Sequence, residues 1–178
     1  SSNEIIDKES ISSLFSIAQQ PDLQIDNELS FSNGIGLNLA SKYLSSLHNY
    51  SDDLYVIIKT NIPFEHAHGM TSIRINYWGY SKNWETVVGF YIYNGKFFSP
   101  NAYSIGLNSP NSLKLFREDG KVCIALLKTN FNGFGNISVH KDISATNTTT
   151  DWAKNWSITH PKTIDGDVVT EISIHNNS

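Results

Sequence analysis

From Asp52 onward, apolar residues recur at every second position in a series of short runs. This period places alternate side chains on opposite faces of an extended strand, so each run predicts a strand with one buried face. The runs are Leu54/Val56/Ile58/Ile62, Ile73/Ile75/Tyr77, Val88/Phe90/Ile92, Lys96–Phe98, Leu113/Leu115, Val122/Ile124/Leu126, Ile137/Val139 and Val168/Thr170/Ile172/Ile174. Asn94-Gly95 and Asp119-Gly120 separate neighbouring runs at hairpin spacing. The pattern predicts an all-β fold, an antiparallel β-sandwich.

Composition narrows the class of protein. The chain of 178 residues is 39% hydrophobic and carries a net charge of −4, which fits one domain with a real core rather than a disordered chain. The 13 Lys and Arg residues form no basic cluster, so we expect no nucleic-acid partner. No apolar run reaches the length of a membrane-spanning helix, so we expect no membrane insertion. The single cysteine, Cys123, lies in an apolar strand and is expected to be a buried, inert thiol.

The first 50 residues follow a different pattern from residues 51–178, and the sequence therefore divides into two segments. Ile11 to Ala18 predicts a short amphipathic helix, and the stretch 23–39 alternates weakly around a turn at Asn33-Gly34. Leu44 and Leu47 have the spacing of one further helical turn. None of these pieces buries enough surface alone, so we expect the segment to pack on the following domain or on another copy of the chain.

The ends of the sequence and its methionine content suggest a longer parent protein. Residue 1 is Ser, and Met70 is the only methionine. The chain is then a fragment of something longer or a processed product, and we favour the fragment.

Recognisable catalytic motifs are missing from the sequence. It has no nucleophile elbow, no phosphate-binding loop and no HExxH pattern. Its acidic residues are thinly spread and mostly adjoin Gly or Asn, which is typical of turns, whereas a glycosidase needs two facing carboxylates. The sequence predicts a protein that is not an enzyme.

His66 and His68 are the sharpest local feature. On an extended strand, side chains two residues apart point the same way, so both imidazoles can reach one metal ion. Two ligands are too few for a stable site, but three chains around an axis would supply six nitrogens to a transition metal. The alternative is a polar loop between strands, with no cofactor.

Aromatic and polar residues occupy the positions opposite the predicted core. If Ile73, Ile75 and Tyr77 face inward, the opposite face of the strands is a candidate ligand-binding surface. Its residues are Arg74, Asn76, Trp78, Tyr80, Tyr91 and Tyr93. Three interpretations stay open: a subunit interface, an inverted inside–outside assignment, or a platform on which sugar rings stack.

Three other tryptophans lie outside these alternating positions. Trp84 lies near the tip of the predicted Tyr80–Glu85 loop and is the better exposed candidate for ligand contact. Trp152 and Trp156 have the spacing to cap the sandwich or to line a pocket.

Three stretches in order along the chain resemble a known type of domain. Ile57–Pro63, Ser72–Tyr80 and Gly89–Gly95 resemble a β-domain of virion tail-fibre proteins and similar modules of the mosaic adhesive trimers of predatory bacteria. The later stretches continue the resemblance in the expected order: Lys114–Phe116, Gly120–Leu126 and Trp152–Trp156. The resemblance covers about residues 54–160. It implies a homotrimer whose chains each contribute a sandwich at the distal end of a fibre, with residues 1–50 as a shaft or collar.

Several functions follow from the resemblance and the aromatic residues together. The first is adhesion: an extracellular tip, on a virion tail fibre or a cell-surface fibre, that binds a cell-surface glycan or an envelope protein without catalysis. The second is a monomeric carbohydrate-binding module of a larger enzyme. The third is a fragment of a glycan-depolymerising tailspike.

Overall fold

The structure is a computed structural model that describes residues 29–30, 36–37, 39–44, 47, 51–65, 71–143, 152 and 154–177. Within these residues the strands are β1 (Leu29–Ser30), β2 (Gly36–Leu37), β3 (Leu39–Leu44), β4 (Tyr55–Pro63), β5 (Thr71–Gly79), β6 (Lys82–Tyr93), β7 (Lys96–Leu107), β8 (Ser112–Glu118), β9 (Lys121–Leu127), β10 (Gly135–Ile143), β11 (Ser157–Thr159) and β12 (Asp167–Asn177). A short 3-10 helix, Lys128–Asn130, follows β9. The prediction of an all-β fold is confirmed for this part of the chain.

Ten strands form one continuous mixed sheet. Their order is β11-β4-β9-β8-β12-β7-β6-β5-β10-β3. Neighbouring strands are antiparallel except β12 and β7, which are parallel, so the prediction of a purely antiparallel arrangement is wrong at this pair. Within the described residues these ten strands are hydrogen-bonded into one large sheet, and β1 and β2 form a separate two-stranded sheet.

Strand β12 joins the two halves of the sheet. Its first part pairs with β8 up to Ser173, and Ile174 to Asn177 pair with β7. Buried side chains from both halves form one hydrophobic cluster that includes Ile58 and Ile75. The sheet is therefore curled around a common core.

The predicted inward faces are confirmed in the strands that carry them. Ile73, Ile75 and Tyr77 are buried on β5, and Val88, Phe90 and Ile92 are buried on β6. Both predicted hairpin turns are present, with positive φ at Asn94, Gly95, Asp119 and Gly120. This is the backbone conformation that makes Asn-Gly and Asp-Gly favourable in two-residue turns.

Most of β7 lies outside the predicted strands. Its inward-facing residues are small: Ala102 and Ser104 face the core, where Ser104 meets the Thr86 hydroxyl of β6 at 2.6 Å. Its larger apolar residues, Tyr103, Ile105 and Leu107, are exposed. This part of β7 therefore carries its large apolar residues on the outer face of the sheet, whereas β5 and β6 carry theirs on the inner face.

Part of the N-terminal segment packs on the main sheet. Strand β3 pairs with β10, and Leu44 and Leu47 are buried in the common core. Leu44 ends a strand, so the prediction of a helical turn is wrong at that residue. Strands β1 and β2, which flank Asn33-Gly34, pair with each other as the turn signal predicts. The predicted helix over Ile11 to Ala18 lies outside the described residues.

In the described part of the chain, no helix has the length and apolar character needed to span a bilayer.

Candidate functional site

A groove of about 500 Å³ lies on the outer face of the sheet, across β10, β5, β6 and β7. Two cross-strand rows of residues line it, because these four strands are neighbours in register. One row is Asn136–Trp78–Asn83, which ends at Leu107 beyond the groove, and the next is Ser138–Asn76–Glu85–Ile105. The volume is in the range of about 300–1,000 Å³ that small-ligand sites occupy.

Two large apolar side chains flank the groove. Trp78 on β5 is 61% exposed, and Ile105 on β7 is 44% exposed. One strand separates them, so their backbones are roughly 10 Å apart at the usual strand spacing. An exposed indole at this distance from a second apolar side chain provides a surface on which a flat ligand ring can stack.

The other outward-facing residues of the lining are polar. They provide the amides of Asn76, Asn83 and Asn136, the hydroxyl of Ser138 and the carboxylate of Glu85. The Asn76 Oδ1 atom is buried and has no hydrogen-bond partner in the described part of the chain. Buried acceptors in native proteins are nearly always paired, so this atom is a candidate contact for a ligand.

An aromatic cluster beneath the groove holds its base in place. The rings of Tyr77 and Phe131 are 4.9 Å apart and nearly perpendicular, and Trp84 lies 5.5 Å from each of them. The Trp84 indole N–H donates to the carbonyl of Asn130 at 3.1 Å. The Tyr77 hydroxyl accepts from the backbone N–H of Asn132 at 2.8 Å. The segment after β9 is therefore fixed to the inner side of β5 and β6.

Two facing glycines make room for the Tyr77 hydroxyl. Gly79 and Gly135 are directly opposite each other on β5 and β10. A Cβ atom at Gly79 would lie 2.6 Å from the Tyr77 hydroxyl oxygen, and one at Gly135 would overlap the same ring. The base of the groove therefore depends on the absence of side chains at both positions.

The predicted exposure of Trp84 is wrong. The turn between β5 and β6 is short, and β6 already begins at Lys82. Trp84 consequently continues the inward-facing series of β6 and is only 3% exposed. It supports the groove from below and offers no ring to solvent.

The aromatic side chains that were expected to form one face lie in two separate clusters. Trp78 pairs with Asn83 at one end of β6, whereas Tyr91 is eight residues further along the strand. At the usual rise this separation is about 26 Å. Tyr91 and Tyr93 instead pack with Phe98 of β7, at ring distances of 4.8 and 5.8 Å from it.

The inverted assignment of the two faces is excluded by the burial pattern. Trp78, Tyr80 and Tyr93 are exposed, whereas Tyr77, which directly precedes Trp78 on β5, is buried. The predicted outer residues of β5 and β6 are therefore on the outside.

Two further predicted residues lie at the margins of the groove. Tyr80 is in the β5–β6 turn, where its ring meets that of Phe134 at 6.3 Å. Arg74 is one row beyond Asn76 on β5, between His140 and Val87, and does not line the groove. Of the predicted ligand-binding residues, Trp78 and Asn76 are thus brought together.

The prediction missed the residues contributed by the neighbouring strands. Ile105 and Glu85 line the groove from β7 and β6, and Asn136 and Ser138 line it from β10. The alternation of Tyr103, Ile105 and Leu107 was the available signal for β7. The polar residues carry no such signal, because only the strand order brings them next to Trp78.

Trp152 and Trp156 lie away from the groove. Trp152 is buried in the common core, and Trp156 packs against that core and donates its indole N–H to the Trp152 carbonyl at 2.7 Å. The pair therefore covers the core, one of the two roles considered for it.

The metal prediction falls on His66 and His68, which lie outside the described residues. Among the residues that the structure describes, no group of three or more His, Cys, Asp or Glu side chains is placed to hold a metal ion.

Comparisons with known proteins complete the description of the site. No protein-family model matches the chain, and neither a curated protein nor a solved structure matches it. The resemblance to tail-fibre and adhesive-trimer domains therefore stays a prediction, and functional inference depends on the geometry of the groove.

Proposed function

We propose that the chain is a non-catalytic glycan-binding module that holds a carbohydrate in the groove beside Trp78. The observation that carries this proposal is the exposed indole of Trp78 next to a lining of neutral amides and a hydroxyl. The C–H faces of sugars pack on aromatic rings, while amides and hydroxyls bond the sugar hydroxyl groups.

Binding without cleavage is favoured by the acids at the site. Among the described residues that line the groove, Glu85 carries the only carboxylate. Hydrolysis of a glycosidic bond ordinarily uses a pair of carboxylates roughly 5–10 Å apart. This supports adhesion over the alternative of a depolymerising tailspike.

We further propose that three copies assemble as the extracellular tip of a fibre, with the two halves of the curled sheet acting as the layers of a sandwich. Outside the groove, the outer face exposes Tyr103 and Leu107 on β7 and the cluster of Tyr91, Tyr93 and Phe98. Monomers rarely leave large apolar patches in water, so contact between copies that buries these side chains supports the assembly.

Tryptophan fluorescence tests the binding proposal. Trp84 and Trp152 are buried and Trp156 packs against the core away from the groove, so a sugar added to the protein should change mainly the emission of Trp78. We expect saturable changes with at least one oligosaccharide of a cell-surface panel, and their loss in Trp78→Ala. The matched control is Leu107→Ala, in the same row but without a ring. If no glycan in the panel changes the emission of the intact oligomer, the proposal is wrong.

Sedimentation analysis tests the assembly. A trimer has three times the chain mass of 19.9 kDa. A monomer at micromolar concentration that still binds glycan would instead indicate the carbohydrate-binding module of a larger enzyme.

A further inference from the structure

The polar lining of the groove also restricts the chemical class of glycan. This inference rests on the proposed function, since it concerns the same groove. Asn76 Oδ1 is a buried acceptor without a partner in the described residues, so it is suited to a ligand that brings a hydrogen-bond donor. Sugar hydroxyls and the N–H of acetamido groups are such donors, whereas carboxylate and sulfate groups offer only acceptors at neutral pH.

The charge of the groove also disfavours acidic ligands. Glu85 is the only charged side chain among the described lining residues, and it is next to Asn76 across β5 and β6. Of the cations nearby, Lys82 donates its ammonium to the Thr129 carbonyl at 2.8 Å, and Arg74 is one row outside the groove. An anionic ligand would therefore meet a like charge at Glu85 with no cation in the lining to offset it.

We infer that the groove selects uncharged glycans, whose hydroxyl or acetamido N–H groups donate to Asn76 and Glu85, and rejects carboxylated or sulfated ones. One sugar ring stacks on Trp78, and a donor on that ring reaches the Asn76 amide oxygen, which is buried in the unbound protein, when the amide turns toward the groove. Glu85 accepts from a second donor and repels acidic substituents.

A panel of matched glycans tests the selectivity. Neutral oligosaccharides, for example N-acetyllactosamine or N,N′,N″-triacetylchitotriose, are each compared with the same or a similar chain that bears a sialic acid or a sulfate. Binding to the intact oligomer is followed by the emission of Trp78. We expect the neutral member of each pair to bind about tenfold more tightly, the usual effect of one unfavourable charge contact. Equal or tighter binding of the acidic members would overturn this inference and leave the proposed function standing, whereas binding of neither class would overturn both.

Two substitutions assign the effect to named residues. In Asn76→Ala we expect about tenfold weaker binding of neutral glycans, because a hydrogen bond to the ligand is lost. The thermal midpoint of the free protein should not fall, since the Asn76 oxygen has no described partner to lose. Unchanged affinity would contradict the role of Asn76. The control is Asn101→Ala, on the same face of the sheet but outside the groove, which should leave binding unchanged.

In Glu85→Gln we expect acidic glycans to gain about tenfold in affinity, because the amide keeps the size of the side chain and removes its charge. The neutral glycans should change much less. If the acidic glycans gain nothing while neutral binding is preserved, Glu85 does not set the charge selectivity.

Discussion

At the scale of single residues, the hydroxyl pair of Thr86 and Ser104 explains why β7 can carry a polar residue on its inner face. Thr86 and Ser104 are both fully buried, and their hydroxyl oxygens are 2.6 Å apart on the paired strands β6 and β7. Each hydroxyl satisfies the other where no water reaches, so β7 can turn a polar residue toward the core. The same arrangement leaves the larger residues of β7 on the outside.

We expect Ser104→Ala to lower the free energy of unfolding by about 1–3 kcal/mol, because the Thr86 hydroxyl is left buried and unpaired. The double variant Thr86→Val with Ser104→Ala should recover much of this loss, since it removes both polar groups. Urea denaturation of the two single variants and the double variant measures the coupling. Additive losses would show that the two hydroxyls do not depend on each other.

The thiol of Cys123 is a second residue whose behaviour follows from burial. Cys123 is 1% exposed on β9. Burial raises the pKa of the Cys123 thiol to about 11, and the negative charge of Glu118 adds to the shift. The reactive thiolate is therefore scarce at neutral pH.

We expect a thiol reagent such as Ellman's reagent to leave the native protein unmodified at neutral pH and to react with one thiol per chain in denaturant. The release of the coloured product under both conditions is the measurement. Rapid reaction of the native protein would mean that β9 is accessible to solvent.

At the scale of strands, an ion pair ties β8 to the start of β12. Arg117 donates two hydrogen bonds to the Asp167 carboxylate, at 2.7 and 2.6 Å. These bonds hold the pKa of Asp167 below its usual value, so folding favours the charged carboxylate. The stabilisation is therefore present above the unfolded pKa of about 4 and is lost as the pH falls through the lower folded value.

We expect Asp167→Asn to be less stable than the parent protein near neutral pH and equally stable at an acidic pH at which the parent carboxylate is protonated. Both side chains are partly or largely exposed, so the difference should be small. Denaturant midpoints at the two pH values measure it. The control is Asp165→Asn, whose described partner is the neutral hydroxyl of Thr163. A pH-independent difference would mean that the charge is not its source.

A strand could be predicted from the sequence where its inward-facing residues are large and apolar. Strands such as β5 and β9 bury Ile, Val and Leu at every second position, and the alternation located them. Most of β7 was not predicted, because Ala102 and Ser104 give its inner face almost no hydrophobic signal. Gly106 also has a positive φ of 109°, and a Cβ there would lie 2.8 Å from the Trp84 Cα atom, so the close approach of β6 and β7 needs glycine.

The candidate site was only partly predictable for a related reason. Alternation placed Trp78 and Asn76 on the outer face, but it could not tell how far they lie from Tyr91, because that distance depends on hairpin register. Trp84 was misplaced because a loop was expected where β6 already begins. The residues of β10 join the site through a pairing that spans more than 50 positions of sequence, which no local pattern reveals.

At the scale of the whole molecule, stability depends on the strand that connects both halves. Ile174 is at the point where β12 leaves β8 and joins β7, and its side chain is buried in the common core. The N–H of Ile174 also donates to the carbonyl of Asn111 at 2.8 Å. Loss of packing at this position should therefore be felt by both halves.

We expect Ile174→Ala to lower the free energy of unfolding by about 2–5 kcal/mol, as for other buried Ile to Ala changes. Unfolding should remain a single transition when it is followed by tryptophan emission and by far-ultraviolet circular dichroism, because both halves share one core. The exposed neighbour His175→Ala is the control and should change stability little. Two separated transitions in the parent protein would show that the halves fold independently.

The position of β12 also has a consequence for synthesis on the ribosome. This strand is the last in chain order but lies between β8 and β7 in the sheet. Before it emerges, the nascent chain holds two half-sheets whose inner edges offer unpaired backbone groups to any neighbouring strand. Completion of the core must wait for residues 167–177, and such late, long-range pairing is slow and prone to aggregation. We therefore expect the two edges that flank the position of β12 to be open to other strands until β12 is inserted.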